Sequence, residues 1–231
     1  MIGKRFVARL VVYVVGLFIM AFGVVFSINS DLGISPVNSL PFAVHLASGV
    51  GLGICVTLFF LLCIVIQIVL LQKEFKWINL TQIVFSFIFG YFVAIAVFIM
   101  GDFTLALVFG PFGLPTYLGQ LMMLAISLVL IAAGLSLYLE ARLISLPPEG
   151  VVLAIVSKLK NGKFHRVKIA MDSILVVLAI AVVLIFTGRI YGVREGTVIS
   201  AIFIGKLIPC AKRVISYILD KFGFYPKTTG N

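Results

Sequence analysis

The side chains of this sequence that could do chemistry are few and fall mainly in two places. The first is FSINSDLGISPVNSLPFAVHLASG, Phe26 to Gly49, which holds Asn29, Asp31, Ser35, Asn38 and Ser39. The second is LEARLISLPPEGV, Leu139 to Val151, with Glu140, Arg142, Ser145 and Glu149, followed by Arg166 and Asp172. Hydroxyls, amides and isolated carboxylates can bind a polar or charged solute through hydrogen bonds and charge. Catalysis needs more: a nucleophile beside a base, an acid pair with its own geometry, or a metal cluster, and no such constellation stands out. The expectation is therefore no catalytic residue and no enzyme. His45 has no second ligand at metal spacing, and Cys55, Cys63 and Cys210 sit singly in apolar runs as packing residues, so neither a metal nor a cofactor is expected. SGVGLG, Ser48 to Gly53, lacks the Lys-Ser/Thr end of a phosphate loop, so this chain is not expected to use ATP itself.

The elements that must position these groups belong in a membrane. A chain that is 62% hydrophobic and 11% charged, with a mean hydropathy of +1.26, does not suit a water-soluble globule. Continuous apolar runs of about 20 residues favour spanning helices over a barrel, whose strands alternate over about ten. The net charge of +10 comes from Lys and Arg in short loops and at the termini, which is orientation information rather than a nucleic-acid surface. The basic start and apolar body of the N-terminus imitate a signal peptide, but the body is longer than the usual h-region of about 7 to 15 residues and is expected to stay as the first span.

Six long runs predict spans near 10–28, 52–71, 78–100, 118–139, 167–186 and 197–219, and two short ones predict half-helices over 36–47 and 147–159. Each short run makes only about 18 Å of helix against a hydrocarbon core of about 30 Å. Pro36 and Pro147 suit first helical turns, where a missing N–H leaves no bond unmade. The halves also align: Gly23 falls on Gly134, Leu32 on Leu143, Pro36 on Pro147 and Asn38 on Glu149, and TQIVFSFIFG from Thr81 lies opposite GTVISAIFIG from Gly196. The expected fold is thus an all-α polytopic membrane protein of about six transmembrane helices plus two interrupted, re-entrant half-helices. It forms one membrane domain from an inverted three-plus-three internal repeat, residues 1–110 and 111–231. Lys4, Arg5, Arg9, QKEFKW, SKLKNGKFHRVK, Lys212, Arg213, Lys221 and Lys227 predict both termini and the 157–168 loop on the cytoplasmic side, with Arg189 and Arg194 left outside.

Extended backbone inside a bilayer is tolerable only where it lines a protected or watery cavity, so the two half-helix starts are expected to meet there. Ser35, Asn38, Ser39, Glu149 and Asp172 are the predicted substrate-binding residues, with Asn29, Glu140, Arg142 and Arg166 as secondary polar candidates. Most have a plainer reading beside the functional one. Glu149 takes a ligand or proton, or else caps its helix; Asp172 serves transport or pairs with Lys168 four residues earlier. Glu140 and Arg142 pair across the cavity mouth or anchor at the interface, while Asp31 and Asp102 are solvated loop acids. Trp77, Tyr117, Tyr191 and Tyr217 read as interface-belt aromatics.

LGISP of Leu32 to Pro36, PPEG of Pro147 to Gly150 and the terminal GTVISAIFIG resemble the YczE/YyaS/YitT family of bacterial integral membrane proteins over nearly the whole chain. Val37 stands where that family's motif continues with Trp, Glu149 keeps an acid where the family carries Asp, and Lys206 stands where a Pro is expected. The resemblance implies a multi-pass protein of the bacterial inner membrane, a transporter of a largely uncharacterised family, and supplies no catalytic residues. Taken with the interrupted helices, it leads to a secondary transporter of a small polar or cationic metabolite. The alternative is a passive channel or a substrate-binding accessory subunit of a larger complex. The expected partners are the lipid bilayer, a small-molecule substrate and, as an open option, further copies of the chain in a homo-oligomer.

Overall fold

The computed structural model describes residues 2–101, 116–159, 162–188, 192–221 and 224, and within them every regular element is helical. Asp102, Arg189, Tyr191, Lys227 and the boundary between 110 and 111 lie outside the described residues. The helices are α1 (Ile2–Asn29), α2 (Pro36–Ser48), α3 (Leu52–Leu71), α4 (Thr81–Met100), α5 (Thr116–Ala141), α6 (Pro147–Lys158), α7 (Phe164–Thr187) and α8 (Glu195–Lys221). Two 3₁₀ turns, Gln72–Glu74 and Trp77–Leu80, join α3 to α4.

Five helices, α1, α3, α4, α5 and α7, are long and apolar enough to cross a membrane. The sixth expected span falls on α8, one helix of 27 residues whose middle and second half carry Lys206, Pro209, Lys212 and Arg213. Its apolar stretch among the described residues, Glu195–Ile204, is short. Helices α2 and α6 contain 13 and 12 residues and start with Pro at the first position, as a ring without an N–H allows.

Packing directions can be read from the contacts. Helices α1 and α5 run antiparallel, with the Tyr13 and Tyr138 rings 5.6 Å apart at one end and Gly23 against Ile131 toward the other. Helix α4 runs parallel to α1, from Tyr13 against Phe85 at 4.4 Å to Phe18 against Phe92 at 5.3 Å. Likewise α8 runs parallel to α5, from the Ser136 hydroxyl donating to the Ile208 carbonyl at 3.3 Å to Glu140 facing Lys212. Each short helix packs on a long helix of the other half of the chain. Ala43 of α2 lies against Ala179 and Val183 of α7. Helix α6 follows α3 from Pro147 beside Gln67 to Lys158 beside Glu74. The main core, including Tyr13, Leu17, Met20, Phe60, Phe89, Ile131, Tyr138 and Leu146, lies where these pairs cross.

Candidate functional site

Between α1 and α2 the chain leaves the helix without abandoning its backbone polar groups. Asp31 adopts a φ of 54° and Gly33 one of 114°, which end the helix and turn the chain inward. The Ser27 hydroxyl donates to the Gly33 carbonyl at 3.1 Å and the Ser30 hydroxyl to the Ser27 carbonyl at 2.7 Å. The Ile34 N–H donates to the Gly192 carbonyl and the Gly196 N–H to the Leu32 carbonyl, tying the segment to the approach to α8. Gly33 cannot carry a side chain here, because a Cβ would press on Thr197 and the Arg194 backbone. The Leu32 and Gly33 carbonyls and the Ile34 N–H of this non-helical stretch are thus hydrogen-bonded within the protein.

The second short helix is held differently. The buried Gln67 amide donates to the Pro147 carbonyl at 3.1 Å and to Gln82 Oε1 at 3.0 Å, joining α3, α4 and the start of α6. Gly150 gives that amide its room, since a Cβ would meet the Gln67 side chain. The residue preceding α6 is Leu146, which offers no side-chain cap.

Both helix starts open onto one cavity of about 290 Å³, lined by Ser35, Pro36, Val37 and Asn38 from the first and Leu146, Pro148 and Glu149 from the second. Lys168, Asp172 and Phe164 of α7, Phe60, Phe89, Met20, Ile131, Leu135 and residues of α8 complete the wall. Within it the Asn38 amide donates to the Ser35 hydroxyl at 2.9 Å. Lys168 Nζ pairs with Asp172 Oδ1 at 2.7 Å, the i,i+4 spacing of a helical ion pair. Glu149 Oε2 is buried and has no hydrogen-bond partner among the described residues. The hydroxyls of Tyr13 and Tyr138, at 0% and 1% exposure, are also without one. Both tyrosines lie within electrostatic reach of Glu149, and neither completes a hydrogen bond of ordinary geometry with it.

Four of the five principal predicted residues, Ser35, Asn38, Glu149 and Asp172, therefore share one cavity. Ser39 is buried beside them but turns its hydroxyl back to the Pro36 carbonyl at 2.6 Å. Of the secondary candidates, Asn29 ends α1, and Arg142 and Arg166 are exposed; none of the three lines the cavity. Glu140 is buried at 3% exposure and pairs with Lys212 at 3.3 Å. Of the two readings of Glu140 and Arg142, pairing with each other is not what forms: Arg142, with a φ of 49°, belongs to the turn leaving α5.

Sequence reasoning missed Lys168 as a cavity residue, because it closes a basic run that reads as a loop. It also missed Tyr13, Tyr138, Gln67 and Gln82. Polar side chains on otherwise apolar helices are the signal for all four, since each needs a buried partner. Among the described residues no group of His, Cys, Asp and Glu is arranged to hold a metal ion.

Residues 7–213 match the family described as "Family of unknown function (DUF6198)". No curated protein matches the chain, and no solved structure does.

Proposed function

The chain belongs to the DUF6198 family of unknown function, so its activity must be argued from its own residues, and we propose that it is a secondary transporter of a small polar or cationic metabolite. The observation that carries this reading is the shared cavity, where two short-helix starts meet around a buried carboxylate oxygen that has no hydrogen-bond partner among the described residues. Interrupted helices converging on a site between repeats are the usual construction of secondary transporters. The resemblance to the YczE/YyaS/YitT proteins rests on its motifs alone and points the same way; the family match does not bear on it.

The proposal includes six crossings, with α8 as the sixth, and re-entrant α2 and α6 in an inverted repeat. Several details support it. Gly23 and Gly134, 111 positions apart in the sequence, pack against Ile131 and Met20, which are themselves 111 apart. Asp31 and Arg142, at the same offset, both leave their helices with positive φ. The antiparallel α1/α5 pair and the exchanged pairings α2/α7 and α3/α6 are what an inverted two-fold relation requires. The Glu74–Lys158 contact puts the α3/α4 turn and the end of α6 on one face, the face that basic loops assign to the cytoplasm in a bacterial inner membrane.

In this reading Ser35 and Asn38 supply polar contacts from one side, Glu149 a charge from the other, and the phenylalanines an apolar wall. Sealed vesicles containing the purified protein provide the test, with labelled tetramethylammonium, butylammonium, an amino acid and a neutral polyol as probes. Saturable uptake of at least one probe, accelerated by trapped unlabelled solute, is the expected result. Linear flux without exchange would instead make the chain a channel, and no flux of any probe would remove the transporter reading.

A further inference from the structure

The charges inside the cavity do not balance. Lys168 and Asp172 satisfy one another at 2.7 Å, whereas Glu149 Oε2 has no hydrogen-bond partner among the described residues. Among the described residues, the titratable groups within electrostatic reach of Glu149 are Tyr13 on α1, Cys63 on α3, Tyr138 on α5, and Lys168 and Asp172 on α7. The single cation among them is already paired with Asp172. Lys168 also acts on Glu149, but two carboxylates then share one cation already engaged by Asp172, and a surplus negative charge in an apolar interior is costly, so it is met by a proton or by a cation from outside. Both would use the same oxygen and exclude each other.

The surroundings suit both occupants. The Tyr13 and Tyr138 hydroxyls can accept from a protonated carboxyl or donate to an ionised one. Phe60 and Phe89 line the cavity as a stacked pair, with centroids 5.4 Å apart and planes at 2°, and Phe164 adds a third ring. Aromatic faces around a carboxylate attract alkylammonium groups, which are too weakly hydrated to resist entry as a metal ion would. A cavity of about 290 Å³ has room for a small one.

We infer that Glu149 exchanges one proton for one small alkylammonium cation, making the protein an electroneutral proton/organic-cation antiporter. When the cation arrives, the carboxyl O–H bond breaks, the proton leaves to water on the side open at that moment, and the ammonium charge replaces it beside the carboxylate. On the other face the reverse step releases the cation and recovers a proton. The inference rests on the transporter reading and adds its substrate class and its coupling.

The test is proton release from the purified full-length protein in detergent, in weakly buffered solution with an indicator dye, on addition of tetramethylammonium or butylammonium. About one proton should appear per cation bound, and apparent affinity should weaken about tenfold per pH unit on the acid side, where the proton competes. Glu149→Gln should abolish release, Tyr138→Phe should keep it with a displaced pH midpoint, and Asp172→Asn should keep it with Glu149 intact. Release that survives Glu149→Gln, or that Asp172→Asn removes, overturns the assignment to Glu149. Cation binding without release overturns the exchange and leaves the central binding site standing. If neither cation binds, the inference falls, while saturable vesicle uptake of the amino acid or polyol would preserve the transporter reading.

Discussion

Replacing Gly134 with Ala should be one of the most damaging single-methyl additions to this protein. The α1/α5 seam is closed by backbone approach at that point. A Cβ on Gly134 would stand 2.6 Å from the Gly16 carbonyl oxygen, 2.6 Å from the Met20 backbone nitrogen and 2.8 Å from Met20 Cβ. The first two contacts are backbone atoms that no rotamer change can move. Ordinary contact begins near 3.4 Å, so α1 must retreat by most of an ångström along the seam that packs Tyr13, Leu17 and Met20 against Ile131 and Tyr138. Helix association in a membrane depends on such close packing, without a hydrophobic drive between helices to offset its loss. Overpacking of this kind costs about 1–3 kcal/mol, and backbone strain places this case near 2 kcal/mol. For a chain of this size that corresponds to a fall of about 4–8 °C in the unfolding midpoint. Thermal unfolding in mild detergent, followed by loss of the monodisperse chromatographic peak, reads it directly. Gly23→Ala should cost somewhat less, because its contacts are a few tenths of an ångström looser, 2.8 Å to Ile131 Cγ1, 2.9 Å to the Ile131 backbone nitrogen and 3.1 Å to Leu130 Cβ. Gly51→Ala, with nothing within 4 Å, is the control for added bulk and should cost less than about 1 kcal/mol, the preference for Gly over Ala at the N-cap of α3. A midpoint for Gly134→Ala within a degree of wild type, or a Gly51→Ala as harmful, would refute the packing argument.

Gln67→Leu should destabilise by about 1–3 kcal/mol because it strands the Pro147 carbonyl and the Gln82 amide, and adding Gln82→Leu should recover part of the loss in the same assay. Lys158→Ala removes an exposed pair with Glu74, side chains 41% and 65% accessible, and should shift the midpoint by an amount equivalent to less than about 1 kcal/mol. In a protein with Cys55, Cys63 and Cys210 replaced by Ala, Val50→Cys and Lys73→Cys should react with an impermeant thiol reagent from opposite faces of the membrane. Labelling of both from one face would mean that α3 does not cross.

The parts of the fold most legible in the sequence were those set by composition and proline. Apolar runs long enough to span gave α3, α4, α5 and α7 closely, and α2 and α6 begin at Pro36 and Pro147 because nothing is lost by placing proline there. Helix α1 extends back to Ile2, beyond its apolar run, because a helix continues through Lys4, Arg5 and Arg9 at no great cost outside the hydrocarbon. In α8 the run is diluted by Lys206, Lys212 and Arg213, so the helix is clear while its crossing is not. Glu149 and Asn38 could be singled out as polar residues at the starts of apolar helices. Their cavity neighbours could not, because depth and facing depend on how helices pack. Lys168 looks like the tail of a basic loop until α7 is seen to begin at Phe164, which turns the lysine inward to Asp172. Glu140 found Lys212 rather than Arg142 because the partner comes from a helix 72 residues away.

If the two short-helix starts form a single site, one ligand must shield both. In the cysteine-free protein, Val37→Cys and Pro148→Cys place one thiol at each start, both on the cavity wall. Their rates of reaction with a small methanethiosulfonate bearing an ammonium group can be followed as butylammonium is added. Both thiols should be protected, with the same half-protecting concentration, because one bound cation covers both. Protection of one thiol alone, or of the two at clearly different concentrations, would mean that the short helices do not share a site.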